Sequence, residues 1–448
     1  MPRNILNLPS YAISSIEEDD HDYHIWAEAA RHPSTCQHCG HSEIVGFGRR
    51  EQLIRDLPMH GKRVGIYVDT RRYRCRKCGK TFYERLPDVD AKRLMTARLV
   101  DWVGKQAVKR PFSHMADEVG LAENTVKNVF RDYINELERT VRFEVPRWMG
   151  IDEIHIIKKP RCIISNIEHN TAVEVLRDRT KKTVMGHFQT MQGREKVQYV
   201  AMDMWNPYRE AVEALMPQAT IVVDKFHVVR MANEALETVR KAQRAQLTTK
   251  ERRGLMHDRF VLHKRRHDLT DKEYLKLSGW TANYPMLEAA YDAKEAFYGI
   301  WDMDTRSEAE RAYAVWRDNL TPEVREAFHP LVRAMENWHP YIFAYFDHAI
   351  TNAYTESLNN LIRVINRLGR GYSFEALRAK ILFSEGIHKV KKPNFRRRHQ
   401  PPPDIGFGEV MMKRTMSYMT DRTGEDEKEV NYGADLSTLV RLIEDGDI

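Results

Sequence analysis

No apolar run in the chain approaches the roughly 18–20 residues that a membrane-spanning helix needs, so a bilayer helix is excluded. The opening stretch, MPRNILNLPS, lacks the apolar segment of a secretory signal, and a soluble, non-secreted protein with no membrane role is expected. Cysteine is scarce: five in 448 residues, too few for a disulfide scaffold. No internal repeat is present. Acid is missing in two places. Between Lys62 and Lys80, Lys62, Arg63, Arg71, Arg72, Arg74, Arg76, Lys77 and Lys80 stand against Asp69 alone, and HKVKKPNFRRRHQPPP (388–403) carries six Lys and Arg and no acid. The overall balance is mild, 71 Lys and Arg to 64 Asp and Glu for a net charge of +7. The two patches therefore matter more than the total, and they suit a polyanion; solvated surface charge is the plainer alternative.

Six zones follow from composition and periodicity. Residues 1–90 hold four of the cysteines among short alternating segments, and residues 91–145 read as helices, with Pro111 at a helix start. Residues 146–230 alternate short apolar runs with helix-like stretches, an α/β pattern: strands near 150–157, 161–167 and 172–177, a helix near 180–192, then a strand at 197–203. Residues 231–348 are charged and helical, with capping boxes expected at Thr270/Glu273 and Ser307/Glu310 and a Thr321-Pro322 helix start. Residues 349–395 return to a helix-borne motif, and 396–448 form a tail that opens on three prolines and turns acidic. The expected class is a multidomain α+β and α/β protein.

Cys36-x-x-Cys39 and Cys75-x-x-Cys78 supply four thiolates, the donor set of a tetrahedral structural zinc, with Gly40 and Gly79 closing each tight knuckle. A redox role fits poorly, because no thioredoxin-like βαβ unit surrounds either pair. In FSHMADEVGLAENTVKNVFRDYI, Ala116, Gly120 and Val126 fall where a helix-turn-helix needs a small contact residue, a turn glycine and an apolar anchor. The second helix would start near Glu123 and present Asn124, Thr125, Lys127, Asn128 and Arg131 to a DNA major groove. The bland reading is a helical hairpin with a solvated face.

Three apolar strands each carry an aspartate: Asp152 within MGIDEIHII, Asp203 ending VQYVAMD, and Asp224 ending TIVVD, with His227 three residues on. A lone acid in a buried strand is costly unless it meets a metal or a cation. Asp152 and Glu153 point to opposite faces of their strand, so one of them is expected at a site. Far downstream, TNAYTESLNNLIRVINR places Glu356, Asn359, Arg363 and Arg367 on one helix face, a carboxylate followed by groups suited to a nucleic-acid backbone. Two strand aspartates and a distal helix glutamate are the parts of a two-metal site that clamps a scissile phosphate between hard-ligand ions such as Mg²⁺.

The cysteine pairs, the helix-turn-helix, GIDE, AMDMWNPY, VVDKFHVVR and TNAYTESLNN together resemble the ISL3 family of bacterial insertion-sequence transposases, over most of residues 30–395. That resemblance implies an RNase H-like DDE catalytic core interrupted by a large helical insertion at 231–348. It implies cleavage at the element's terminal inverted repeats and joining of 3′ ends to target DNA, with two Mg²⁺ ions that Mn²⁺ can replace, and a structural zinc. The second strand acid of such a core ends its fourth strand, which selects Asp203; the catalytic and Mg²⁺-binding set is then Asp152, Asp203 and Glu356. Asp224 and His227 become an accessory pair. Double-stranded DNA is the partner, a homodimer on DNA follows from the need to cut two ends, and the cytoplasm at the bacterial nucleoid is the expected location. A catalytically dead DNA-binding regulator and a stand-alone nuclease of the same fold are the alternatives.

Overall fold

The computed structural model describes residues 6–141, 144–244 and 247–385; the basic segment 388–403 and the tail beyond it lie outside them. Packing groups residues 6–141 with 364–384 in one unit and 144–363 in another. Residues 364–384 thus pack with the N-terminal unit, although they fall inside the span expected to complete the catalytic core.

In the first unit, strands β1 (Tyr11–Glu18), β2 (Asp22–Ala29), β3 (Ile44–Met59), β4 (Lys62–Cys75) and β5 (Thr81–Tyr83) form one sheet in the order β1-β2-β4-β3, with β5 on β4. The two-residue periodicity of β4 turns Val64, Ile66 and Val68 to one buried face, where they meet Ile25, Ala27 and Ile54. Helix α1 (Ala97–Ala107) is capped by Thr96, whose hydroxyl accepts from the Leu99 amide and donates to Asp56. Helices α2 (Phe112–Val119) and α3 (Glu123–Thr140) follow. Gly104 lets α1 and α3 approach closely: a Cβ there would lie 2.8 Å from the Tyr133 ring.

The second unit opens with β6 (Trp148–Ile156), β7 (Lys159–Asn166) and β8 (Thr171–Val175), then α4 (Lys181–Thr190), β9 (Tyr199–Met202), α5 (Asn206–Leu215) and β10 (Thr220–Val223). The sheet order is β10-β9-β6-β7-β8; β6, β7 and β8 are antiparallel, while β9 and β10 run parallel to β6. The expected strands and helix all form. Helix α6 (Lys225–Arg244) starts directly after β10, so Asp224 ends the strand and His227 lies in the first helical turn.

Then come α7 (Thr249–His257), α8 (Arg259–His263), α9 (Asp271–Asn283), α10 (Pro285–Ile300), α11 (Arg306–Asp318), α12 (Pro322–Asn337) and α13 (His339–Asp347). The Thr270/Glu273 box forms, and Thr321 takes the N-cap position of α12 without a side-chain cap bond, with Pro322 at the first helical turn. The expected box at Ser307/Glu310 does not form. Helix α11 begins at Arg306, so Thr305 and Glu308 take the cap and third positions, and Glu310 pairs with Arg306 instead. Trp316 and Trp338 are core residues, and Trp280 donates its indole N–H to Asp258. Helix α14 (Ala353–Leu368) carries Glu356, and α15 (Phe374–Glu385) closes the described chain. No described helix is long and apolar enough to cross a membrane.

Candidate active site

The strand order places β6 and β9 side by side in parallel, so the acids of both emerge at one end of the sheet. Asp152 is 5% exposed on β6, and Asp203 directly follows β9. The N-terminal turns of α6 and α14 bring His227 and Glu356 to the same place. His227 Nε2 lies 2.8 Å from Asp203 Oδ1 and 3.4 Å from Glu356 Oε1. Asp152, Asp203 and His227 offer ligand atoms within 4.8 Å of one another, and so do Asp224, His227 and Glu356. Around them a cleft of about 510 Å³ is lined by Glu153, His155, Arg230, Asn359, Asn360 and Arg363 as well.

Crowded carboxylates in a poorly solvated cleft repel one another, and the proton equilibria register it. Burial, then the charge of Asp203, pushes the Asp152 carboxyl up to about 8. For His227 burial acts downward, but Asp203 and Glu356 overcome it and lift the imidazole to about 10. Although 2.8 Å apart, His227 Nε2 and Asp203 Oδ1 lack hydrogen-bond alignment, and both atoms are buried without a hydrogen-bonding partner among the described residues. Asn359 Oδ1 is a third such atom. A cluster of oxygen donors with excess negative charge and unused ligand atoms suits a hard divalent cation.

Asp224 adjoins the cluster through His227 and Glu356 but is held from behind. It is 2% exposed and does not line the cleft; its Oδ1 accepts from the Phe226 amide and its Oδ2 from the Asn352 amide at the start of α14. Asn359, expected to face DNA, is buried and donates through Nδ2 to Asp152 Oδ2 at 2.7 Å. Arg363 is exposed at the cleft and donates to Asn360, whereas Arg367 is exposed on the next helical turn and does not line the cleft. Glu153, expected on the strand face opposite Asp152, lines the same cleft and pairs with Arg179.

In the first unit the four cysteine sulfurs converge within 4.8 Å, with Cys36–Cys78 at 3.8 Å and Cys39–Cys75 at 3.6 Å. Four thiolates at the zinc–sulfur bond length of about 2.3 Å in a tetrahedron stand about 3.8 Å apart, so the residues fit the ion. The two knuckles repeat one another: Gly40 and Gly79 adopt φ of 73° and 72° and donate to the Cys36 and Cys75 carbonyls. The Cys78 amide draws the Cys75 thiol down to about 7, while for Cys39 the His41 amide acts downward but burial and the neighbouring thiols overcome it and push the thiol up to about 11. In the helical pair, Gly120 ends α2 at φ 66°, and Ala116 and Val126 are buried between the helices. Asn124, Lys127, Asn128 and Arg131 are exposed on α3 and Thr125 is partly so, the face a groove-reading helix presents.

Comparison with known proteins decides the family. A transposase family model, the ISL3 DDE domain, matches residues 149–381. The chain belongs to the ISL3 family of transposases. Within this transposase, residues 32–78 match the zinc finger of the IS204/IS1001/IS1096/IS1165 transposases, and residues 84–134 match the family's helix-turn-helix domain. It is 25% identical to the transposase for insertion sequence element IS1001 of Bordetella parapertussis, over 75% of this chain and 85% of that protein. It is 26% identical to the transposase for IS1557 of Mycobacterium tuberculosis, over 61% and 67% respectively. The protein is thus an insertion-sequence transposase, a DNA-binding enzyme with a zinc ribbon and a helix-turn-helix.

Some residues at and beside the transposase's cleft carry no mark in the sequence. Arg230 lies one helical turn beyond His227 and has no motif to mark it. Asn352 and Thr355 have no motif of their own either; both are fully buried and neither lines the cleft. The polar run T-N-x-x-T-E-x-x-N at helical spacing marks only a polar helix face, which by itself reads as solvated.

Proposed function

We propose that residues 146–230 and the start of α14 form an RNase H-like DDE core in which Asp152, Asp203 and Glu356 hold two Mg²⁺ ions. The observation that carries this reading is the convergence of one acid from β6, one from the end of β9 and one from α14 on a single cleft. The sheet order also supports it: three antiparallel strands, a helix, then a fourth strand parallel to the first, as that fold requires. When bound, the ions supply charge neutralisation and an activated oxygen nucleophile at the scissile phosphate. The protein's own part is to hold three carboxylates convergent, to keep His227 beside Asp203 and Glu356, and to offer Arg230 and Arg363 to the flanking phosphates.

The reaction is hydrolysis at the terminal inverted repeats, which frees a 3′-hydroxyl, followed by in-line attack of that hydroxyl on a target phosphodiester. The new P–O bond forms as the target's own bridging P–O bond breaks. Helix α3 reads the ends, with Asn124, Thr125, Lys127, Asn128 and Arg131 at the groove. The chain works as a homodimer on DNA, in the cytoplasm at the nucleoid, and the helices between α6 and α13 form an insertion within the core. The test uses purified protein, a labelled element end, a target plasmid and Mg²⁺ or Mn²⁺. Joined product is expected from wild type, and none from Asp203→Asn or Glu356→Gln; full cleavage by Asp203→Asn would overturn the assignment. Nicks without joining would indicate a nuclease instead.

A further inference from the structure

We infer that Gly150, Ser165, Asn352 and Thr355 form a buried polar clasp that sets the position of Glu356 against Asp152, making Asn352 and Thr355 positioning residues for the transposase's metal site. The inference rests on the proposed role of the three acids. Helix α14 meets the sheet through hydrogen bonds where an apolar contact would be the ordinary solution. Asn352 Nδ2 donates to the Ile151 carbonyl at 3.1 Å, and Thr355 Oγ1 donates to Asn352 Oδ1 at 2.5 Å. Thr355 Oγ1 also lies 2.6 Å from Ser165 Oγ, across from β6 on the neighbouring strand. Asn352, Thr355 and Ser165 are all 0% exposed. One turn on, Asn359 Nδ2 reaches Asp152 Oδ2, so the same helix face touches β6 on both sides of Glu356.

Gly150 makes this approach possible. Its backbone is not in the left-handed region, so conformation does not require glycine there; space does. A Cβ at 150 would stand 2.4 Å from Thr355 Oγ1 and 2.5 Å from both Asn352 Oδ1 and Ser165 Oγ, all within the van der Waals surface. Three oxygens therefore occupy the space of one missing methyl group. Burying such a network stabilises a fold little compared with packed apolar groups, but each bond is directional and cannot survive a slide or rotation of the helix. Glu356 sits on that helix immediately after Thr355 and makes no hydrogen bond to the sheet. Its distance to Asp152 and Asp203 is therefore inherited from the clasp, and an error of about 1 Å there is enough to impair a metal site.

The experiment compares Thr355→Val, Thr355→Ser, Gly150→Ala and Glu356→Gln in the full chain. Thermal melting reports the fold, gel shift reports end binding, and Mn²⁺ binding by calorimetry without DNA reports the site. Thr355→Val keeps the shape of the side chain while removing both hydroxyl bonds. It is expected to melt within a few degrees of wild type and bind ends normally, yet to bind Mn²⁺ about 10-fold more weakly, the usual effect of losing support behind metal ligands. The metal concentration for half-maximal cleavage should rise in parallel, and Thr355→Ser should restore both. Gly150→Ala should behave as Thr355→Val or fail to fold, and in the latter case the threonine pair carries the test. Wild-type Mn²⁺ affinity and metal dependence in Thr355→Val would overturn the clasp while leaving the site intact. Wild-type Mn²⁺ affinity and cleavage in Glu356→Gln would instead overturn the site itself.

Discussion

Removing the charge of Asp152 should stabilise the metal-free protein while abolishing cleavage. In Asp152→Asn an amide of the same shape replaces a carboxyl whose burial, and whose neighbour Asp203, push it up to about 8 from an ordinary 3.8. The folded protein then binds a proton that the unfolded chain has released, so stability falls as pH climbs from about 4 towards 8. From 3.8 to pH 7.5 is about 3.7 pH units, which at ~1.4 kcal/mol each sets a ceiling of about 5 kcal/mol. Asp203 and Glu356 are 23% and 33% exposed, and solvent at these neighbours weakens their repulsion, which leaves about 2–3 kcal/mol. For a unit of this size that is about 4–10 °C in melting temperature. The assay is calorimetric melting in chelator at pH 7.5 and at pH 4.5. The variant should melt higher at the first and level with wild type at the second. Mg²⁺ or Mn²⁺ should raise wild type and leave Asp152→Asn nearly unmoved, because ligand binding stabilises only a chain that can hold the ion. A variant that melts at or below wild type at pH 7.5 would refute the reasoning.

Other outcomes follow from the first unit. Purified protein should carry zinc by elemental analysis, and Cys36→Ser or prolonged chelation should lose both the zinc and the binding of element ends, because the four sulfurs converge on one point and only a small cluster around Phe82, Ile44 and Tyr73 backs them. Lys127→Ala should weaken binding to all DNA sequences alike and lower the salt slope by about 1, whereas Asn124→Ala should flatten the preference for the ends; a fluorescence anisotropy salt titration separates the two. Gly104→Val should cost about 1–3 kcal/mol in chemical denaturation, since its side chain would strike the Tyr133 ring, and Tyr133→Ala in the same chain should recover part of that loss.

The zinc ribbon and the helix-turn-helix were legible in the sequence because their determinants are local. Two C-x-x-C knuckles with following glycines, and a small residue, glycine and valine at set offsets, need only a few neighbouring residues to define their geometry. The strand succession from β6 to β10 was legible for a similar reason: short apolar runs broken by helix-like stretches leave little freedom of order. Capping was less secure, since Thr305 and Ser307 are both capable residues with a glutamate three positions on, and only the packed start of α11 chose between them.

The site divides along the same line. The kinds of residue the proposed site draws on, one aspartate within a strand, one at a strand end and a helix glutamate, stand in the sequence as acids in apolar surroundings. Their company does not. That Asp224 turns inward to hold the Asn352 amide while Asp203 faces the cleft is decided by which strand lies beside β6. That Asn359 meets Asp152 and not solvent is decided by how closely α14 approaches the sheet, and that approach depends on a missing methyl at Gly150. Hydrogen-bond partners some two hundred residues apart leave no periodic trace in a chain, because a polar side chain looks the same in sequence whether water or a buried carbonyl satisfies it.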